Sequence, residues 1–316
     1  MAKCVRRHRK SSHTLIHYIK HNQIDKQKWD ACISTSREPL VYACSWYLDI
    51  VSPNWDALVK DDYSAVMPLT RRKKYFIPYL FQPAFTQQLG IFAASPPDET
   101  ASFLNAIPSK FRLIEIQLNL SNYISSLKSF EVSEKITFHL CLEHHIEEIK
   151  NNYSENIKRN IKKFEKSGLA ISNEKSAEDI IMLFRNHKGS TLDSLSKNDY
   201  EVLQQILSSA SNKDLLCIKK VYNESGQLIA GAVFLRSFDA YIFLFSAVHP
   251  EARENGAMSA IINCFIEEHA TECKSLDFEG SMIPALARFY ESFGSEEIVY
   301  LQIRRNTLPP IIRKFK

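Results

Sequence analysis

The chain has 316 residues, enough for two domains with sizeable cores. Apolar residues make up 45% and charged residues 24%, which excludes a fibre and a disordered polymer. A net charge of +4 is too small to argue for nucleic acid by itself; it permits an acidic ligand without requiring one.

Residues 1–12 (MAKCVRRHRKSS) are basic and lack the apolar core of a secretory signal, so a basic disordered tail is expected there. A nucleic-acid arm is the less favoured reading of that tail. From Thr14 the texture is globular. TLIHYIKH predicts a strand, and DKQKWDACI predicts a helix capped by Asp25. Two short strands are expected around the turn residues Lys60–Asp62. Further apolar strands, broken by Pro78 and Pro83, are expected in YFIPYLFQPAFTQQLGIFAA. SPPDETASFLNAIPSKF reads as a capped helix and FRLIEIQLNL as an alternating strand. A second helix–strand set is expected to end near ITFHLCLEH.

Tyr153 to Lys166 predicts an amphipathic helix. Tyr153, Ile157, Ile161 and Phe164 share one face, while Lys158, Arg159, Lys162, Lys163 and Lys166 cover the other. That basic face is either a solvated surface or one that meets phosphates, and Gly168 stops the helix. Two helices follow, then strands DLLCIKKVYN and QLIAGAVFLRS joined through Glu224–Ser225–Gly226. AYIFLFSAVHP reads as a strand buried on both faces. NGAMSAIINCFIEEHA is a helix, SLDFEG a short strand, IPALARFYESFG a helix ended by Gly294, and EIVYLQIRR a last strand. The expected class is mixed α/β, with an N-terminal domain over residues 13–148 and a C-terminal one over residues 149–316.

Seven cysteines (Cys4, Cys32, Cys44, Cys141, Cys217, Cys264 and Cys273) are scattered, odd in number and form no CxxC pair. This argues against a disulfide framework and a zinc site, and for a reducing, cytoplasmic setting. His144-His145 beside Glu147-Glu148 is a poor metal site, because adjacent histidines point apart, so no metal is expected. His249 before Pro250 reads as a loop residue. No apolar run reaches membrane-spanning length, and G-x-S-x-G, P-loop and H-E-x-x-H motifs are absent.

The stretch with chemical content follows Tyr241. A strand ends at Val248-His249-Pro250, and Arg253, Asn255, Gly256 and Ala257 lead into a helix. Unpaired amides at a helix start attract anions, and a glycine allows close approach. The plainer reading, a tight turn at Gly256 and a solvated Arg253, stands level with it.

This segment resembles the acyl-CoA-binding loop of GNAT acyltransferases, with Met258 where that family has glycine or alanine. Ala287-Arg288-Phe289-Tyr290-Glu291-Ser292-Phe293-Gly294 resembles the GNAT helix whose tyrosine protonates the departing thiolate. Phe289 and Phe293 are expected in the core and Tyr290 off that line. Leu276–Ser281, the Tyr153–Lys163 helix and Pro83–Gly90 (PAFTQQLG) are similar to the FemAB-like branch of the superfamily.

The resemblance implies two tandem GNAT-like domains, each a central mixed sheet flanked by helices, with a substrate cleft between them. It implies transfer of an acetyl or aminoacyl group to a small-molecule or peptide amine. Catalysis would fall to Tyr290 as acid and Glu279 as base, with Asp277 the more ordinary of the two strand carboxylates. Arg253, Asn255, Gly256, Ala257, Phe245 and Ser246 would hold acyl-CoA, with backbone amides of Phe243–Ser246 polarising the carbonyl. Lys158, Arg159 and Gln87 would hold substrate. Tyr290 stands where the peptidoglycan enzymes of this branch often carry lysine, which favours acyl-CoA over aminoacyl-tRNA as donor. A tRNA-dependent transferase and a non-catalytic ligand-binding protein on a degenerate GNAT fold are the alternatives.

Overall fold

The computed structural model of the chain describes residues 15–95, 100–124, 128–189, 195–280 and 282–310, without the side chains of residues 188 and 253. The expected tail, residues 1–12, lies outside the described residues. The first half comprises β1 (Ile16–Ile19), α1 (Lys26–Ser34), α2 (Ser45–Val51), β2 (Asp56–Lys60), β3 (Ala65–Leu69), β4 (Arg71–Lys74), β5 (Ile77–Leu80), β6 (Phe92–Ala93), α3 (Thr100–Ala106) and β7 (Leu113–Gln117). There follow β8 (Glu131–Cys141), α4 (Ile146–Asn151), α5 (Glu155–Lys166), β9 (Ile171–Glu174), α6 (Glu178–Phe184), α7 (Lys197–Ser211), β10 (Leu216–Tyr222), β11 (Leu228–Ser237) and β12 (Ala240–Val248). The chain closes with α8 (Ala257–His269), β13 (Ser275–Asp277), α9 (Pro284–Glu291) and β14 (Glu296–Asn306).

The helix ends follow side-chain capping. Asp25 accepts from the amides of Gln27 and Lys28 and starts α1. Ser154 accepts from Ile157 N, so α5 begins at Glu155, and Tyr153 is left to pack edge-on against Phe293. Ser196 and Asp199 form a reciprocal capping box on α7. Gly168, at φ 72, follows the end of α5.

Three expectations need correction. Pro78 does not break a strand; it lies inside β5 opposite Lys73, at the end of the strand that β7 leaves unpaired except at Leu80↔Ile114. A proline is tolerated where no ladder needs its N–H. No helix forms between β7 and β8 among the described residues, residues 125–127 lying outside them. Asn119 and Asn122 instead turn the chain, Asn119 Oδ1 accepting from Ser121 N at 3.0 Å and Asn122 Oδ1 from Ile91 N at 2.7 Å. Strands β4 and β9 and helices α2 and α4 were not foreseen.

β1-β2-β3-β6 form one sheet. The other runs β4-β5-β7-β14-β8-β13-β12-β11-β10-β9 through both halves of the chain. The halves are stitched at its centre: β14 pairs with β7 (Gln302↔Gln117) on one side and with β8 (Val299↔Ile136) on the other, and β8 pairs with β13 (Leu276↔Leu140). Strand alternation divides the apolar residues of β11 and β12 between two cores. Val233, Leu235, Ile242 and Leu244 join α6, α7 and the first half. Phe234 and Phe243 join Phe138, Leu276 and Phe278 under α5, α8 and α9. Phe234 stacks on Phe265 at 3.8 Å between centroids. No helix among the described residues is long and apolar enough to cross a membrane.

Where β13 ends, Gly280 lies against β8 so closely that a Cβ there would overlap the Ile136 carbonyl. Backbone cannot yield as a flexible side chain does. Gly280→Ala should therefore destabilise the protein by on the order of 3 kcal/mol, read from chemical denaturation followed by circular dichroism.

Candidate active site

β12 and β13 run parallel at only two positions, Tyr241↔Leu276 and Ile242↔Asp277, and then part. Beyond that point β12 keeps its ladder to β11 alone, so one edge of Phe243–Val248 faces a gap. A β-bulge sits in this stretch: Val233 pairs with Phe245 and Phe234 with Phe243, leaving Leu244 extra. One added residue reverses the alternation beyond it. Leu244 and Phe245 consequently both face the α6 side, where Phe245 packs on Phe184 at 4.9 Å, and Ser246 turns to the gap.

The gap opens into a cleft of about 460 Å³ lined by Asn160, Ser246–Val248, Ala252, Gly256–Ser259, Leu286 and Phe289. The start of α8 forms one wall. Gly256 is left-handed, φ 77, and a Cβ on it would overlap the Asn160 carbonyl of α5. Its lack of a side chain therefore serves helix packing as well as access to the cleft. Asn255 Oδ1 accepts from Ala257 N at 3.1 Å, so one of the amides expected to meet an anion is already engaged. The amides of Met258 and Ser259 have no partner among the described residues. Met258 lines the cleft without closing it.

The second part of the site is a polar cluster where the halves meet. Thr137 Oγ1 on β8 donates to Asp277 Oδ1 at 2.6 Å and accepts from Gly280 N at 3.0 Å and Gln87 Nε2 at 3.2 Å. Asp277 Oδ1 also accepts from Glu279 N at 2.8 Å, and His139 Nε2 lies 3.2 Å from Asp277 Oδ2. Glu279 has φ 49, a left-handed conformation unfavourable for any residue with a Cβ, held in place by these bonds. Its carboxylate accepts from the Tyr42 hydroxyl of the first half. Tyr47 beside Tyr42 donates to the Phe85 carbonyl, so PAFTQQLG enters the site through backbone as well as Gln87.

Burial dominates the electrostatics. It pushes Glu279 up to about 8, with Asp277 adding to the rise and the Tyr42 hydrogen bond opposing it. The Glu279 residue retains some exposed surface, but its carboxylate is enclosed. For His139, burial favours the neutral ring, yet the hydrogen bond and charge of Asp277 outweigh it and the pKa rises. Burial raises Tyr290 to about 12, with Glu279 and Asp277 adding to the effect.

Of the residues singled out from sequence, Ser246, Gly256 and Ala257 line the cleft. Asn255 caps α8. Phe245 faces away because of the bulge, although its backbone stays on β12. The side chain of Arg253 is outside the described residues. Glu279, Asp277 and Gln87 meet in the polar cluster. Lys158 and Arg159 do not line the cleft; Lys158 pairs with Glu155 at 3.2 Å and Arg159 Nε donates to the Glu155 carbonyl. Phe289 and Tyr290 are exchanged relative to expectation. Phe289 forms the cleft wall, while Tyr290 is buried and stacks on Phe278 at 4.8 Å. The reason is that α9 starts at Pro284 and turns its Tyr290 side to β8, where Phe138 waits 6.2 Å away. Tyr42, Thr137 and His139 went unremarked in the sequence, where each stands far from the residues it meets, and Asn160 entered only as part of the Tyr153–Lys163 resemblance. Among the described residues Cys217, Glu268 and His269 are the one cluster of metal-ligand type, and there Lys219 already pairs with Glu268 at 2.6 Å.

Residues 151–280 match the family model described as an acetyltransferase (GNAT) domain. No curated protein sequence matches the chain. Solved structures resemble it at low identity. FemX shares 12% identity over 94% of this chain and 99% of its own, with a TM-score of 0.67. L-PGS from Bacillus licheniformis shares 12% over 92% and 95%, at 0.56. A protein of unknown function from Bacteroides thetaiotaomicron shares 9% over 89% and 97%, at 0.57. The fold is thus FemX-like across both halves, with the GNAT-type domain matched over residues 151–280.

The raised Glu279 carboxyl has a thermodynamic signature. The folded state holds this proton more tightly than the unfolded chain, whose glutamate titrates near 4.5. Its contribution to stability is therefore complete below about pH 4.5 and is lost as pH rises through about 8. Replacing Glu279 by Gln should raise the melting temperature by a few degrees above pH 8 and change it much less near pH 5. An equal change at both pH values in differential scanning calorimetry would contradict the assignment.

Proposed function

We propose that the protein is an acyltransferase that moves an acyl group from an acyl thioester to an amine presented at the junction of the two halves. The observation that carries this reading is the parting of β12 and β13, with an open cleft on one side and an enclosed carboxylate near neutrality on the other. The GNAT family match and the FemX-like fold support acyl transfer as the class; donor and acceptor are inferred from the chemistry of the site.

The donor is a substrate, with acyl-CoA as the thioester favoured. The wall of Val248, Leu286 and Phe289 suits an apolar acyl arm, and Ser246 with the free edge of β12 offers donors to its carbonyl oxygen. The start of α8 suits a diphosphate less well, because Asn255 engages one amide and the Asn160 carbonyl stands beside Gly256. In the reaction the amine nitrogen bonds to the carbonyl carbon, the carbon–sulfur bond breaks, and the amine proton passes to Glu279. A carboxylate titrating near 8 is matched to that task at neutral pH. Tyr42 orients it from the first half, which makes the junction part of the catalytic unit.

Tyr290 stands behind Phe289, so we assign it to positioning Phe278 and Glu279 rather than to protonating the leaving group. A thiolate whose thiol titrates near ~8.5 leaves without a strong acid.

The reading is tested with acetyl-CoA and a panel of primary amines, following free thiol release. Turnover should rise with pH and level off above about 8. Glu279→Gln should lower kcat by roughly a hundredfold or more with little change in acetyl-CoA affinity. Tyr290→Phe should leave turnover nearly unchanged, and a large loss would restore the acid role. Absence of calorimetric binding of acetyl-CoA, together with unchanged melting, would rule out the thioester donor.

A further inference from the structure

The β4–β5 hairpin carries features that neither the fold nor the cleft explains. β4 is the terminal strand of the ten-stranded sheet and consists entirely of cations: Arg71, Arg72, Lys73 and Lys74. Lys74 pairs with Ile77, so the loop is the two residues Tyr75 and Phe76. Both have positive φ, 49 and 65, as a type I′ turn requires. Asparagine and glycine suit such a turn; two bulky aromatic residues are strained in it. Tyr75 is 70% exposed and Phe76 87%, the latter being the most exposed large hydrophobic side chain among the described residues. Strain together with exposure means the tip is not shaped by the stability of the fold.

The cations divide into two groups. Arg71 is tied into the protein by Asp56 at 2.7 Å. Arg72, Lys73 and Lys74 are exposed and have no ion pair among the described residues. Arg72 lies over the Phe81 ring at 4.1 Å. Lys73 Nζ is 5.3 Å from the Phe76 ring and Lys74 Nζ 5.8 Å from the Tyr75 ring. The sequence holds no acidic residue from Tyr63 to Pro97, and Asp199 and Glu201 of α7 line a cavity with Arg72 but not with Lys73 or Lys74.

We propose that the β4–β5 hairpin docks the protein on anionic lipid surfaces, with Tyr75 and Phe76 entering the interfacial region and Arg72, Lys73 and Lys74 meeting lipid phosphates. Aromatic rings favour the boundary between headgroups and acyl chains, and lysines beside them keep their ammonium groups at phosphate level. An apolar tip and a cationic collar are both needed, since either alone binds membranes weakly. Single-stranded nucleic acid also takes aromatic and cationic groups, but it needs them spread along a groove that follows the backbone. Here the charges gather behind one protruding tip. The chain leaving β5 runs through Gln82 to Gln87 of the polar cluster, so docking would hold the candidate active site on the side of the protein that meets the lipid. The inference does not rest on the acyl-transfer reading.

The test is flotation of the full chain with vesicles of phosphatidylcholine and phosphatidylglycerol, against phosphatidylcholine alone. Binding is expected on the anionic vesicles only, weakening as salt rises. The variant Tyr75→Asn/Phe76→Gly places the preferred pair in the turn and should fold at least as well, which melting verifies. It should bind anionic vesicles about tenfold more weakly. Arg72→Ala/Lys73→Ala/Lys74→Ala should abolish binding. No binding of the native chain, or equal binding by the turn variant, would overturn the proposal. So would tighter binding to a single-stranded RNA homopolymer that the turn variant loses.

Discussion

Thr137 and Asp277 occupy the point on which the rest of the molecule turns. Their 2.6 Å hydrogen bond joins β8 to β13, and the same two side chains receive the amides of Glu279 and Gly280 just beyond. With those amides engaged, the chain after Asp277 cannot continue beside β12. It crosses over Ile136 instead, which only a glycine permits. The gap, the free edge of β12 and the left-handed Glu279 all follow from that crossing. Within this buried polar knot Thr137 uses its donor and its acceptor capacity in full.

The first half of the chain completes this arrangement. Tyr42 meets Glu279, Tyr47 holds the Phe85 carbonyl, and Gln87 reaches Thr137. Two carboxylates so close in an enclosed space repel one another, and burial discourages charge on Glu279 further. A carboxyl poised near neutrality is the consequence of the two halves closing on each other. The continuous sheet, with β14 between β7 and β8, makes that closure a property of the fold.

Much of this was legible beforehand. Capping side chains announced α1, alternation announced β7, and the apolar run of Tyr241–Val248 announced a strand with cores on both faces. Those signals are local: a cap or a period is read within one element. The errors share a different origin. β4 is four cations in a row and has no apolar face, so only pairing with β5 makes it a strand. The bulge at Leu244 leaves no mark in composition, yet it decides that Ser246 and not Phe245 meets the cleft. Helical spacing put Phe289 and Phe293 on one line, but which side of α9 faced the protein depended on Phe138 across the core.

The sequence by itself determined the class of fold, the order of most elements and the segments from which the site is built. Those follow from periodicity, capping and turn chemistry, each acting over a few residues. Tertiary structure alone decided that Glu279 is enclosed, that Tyr42 and Asp277 are its partners, and that Tyr290 stands behind the cleft wall. Glu279 meets Tyr42 across 237 positions, and Thr137 meets Asp277 across 140. A carboxylate's pKa and a side chain's access depend on what surrounds them in space, and those neighbours are assembled only when the two halves share one sheet.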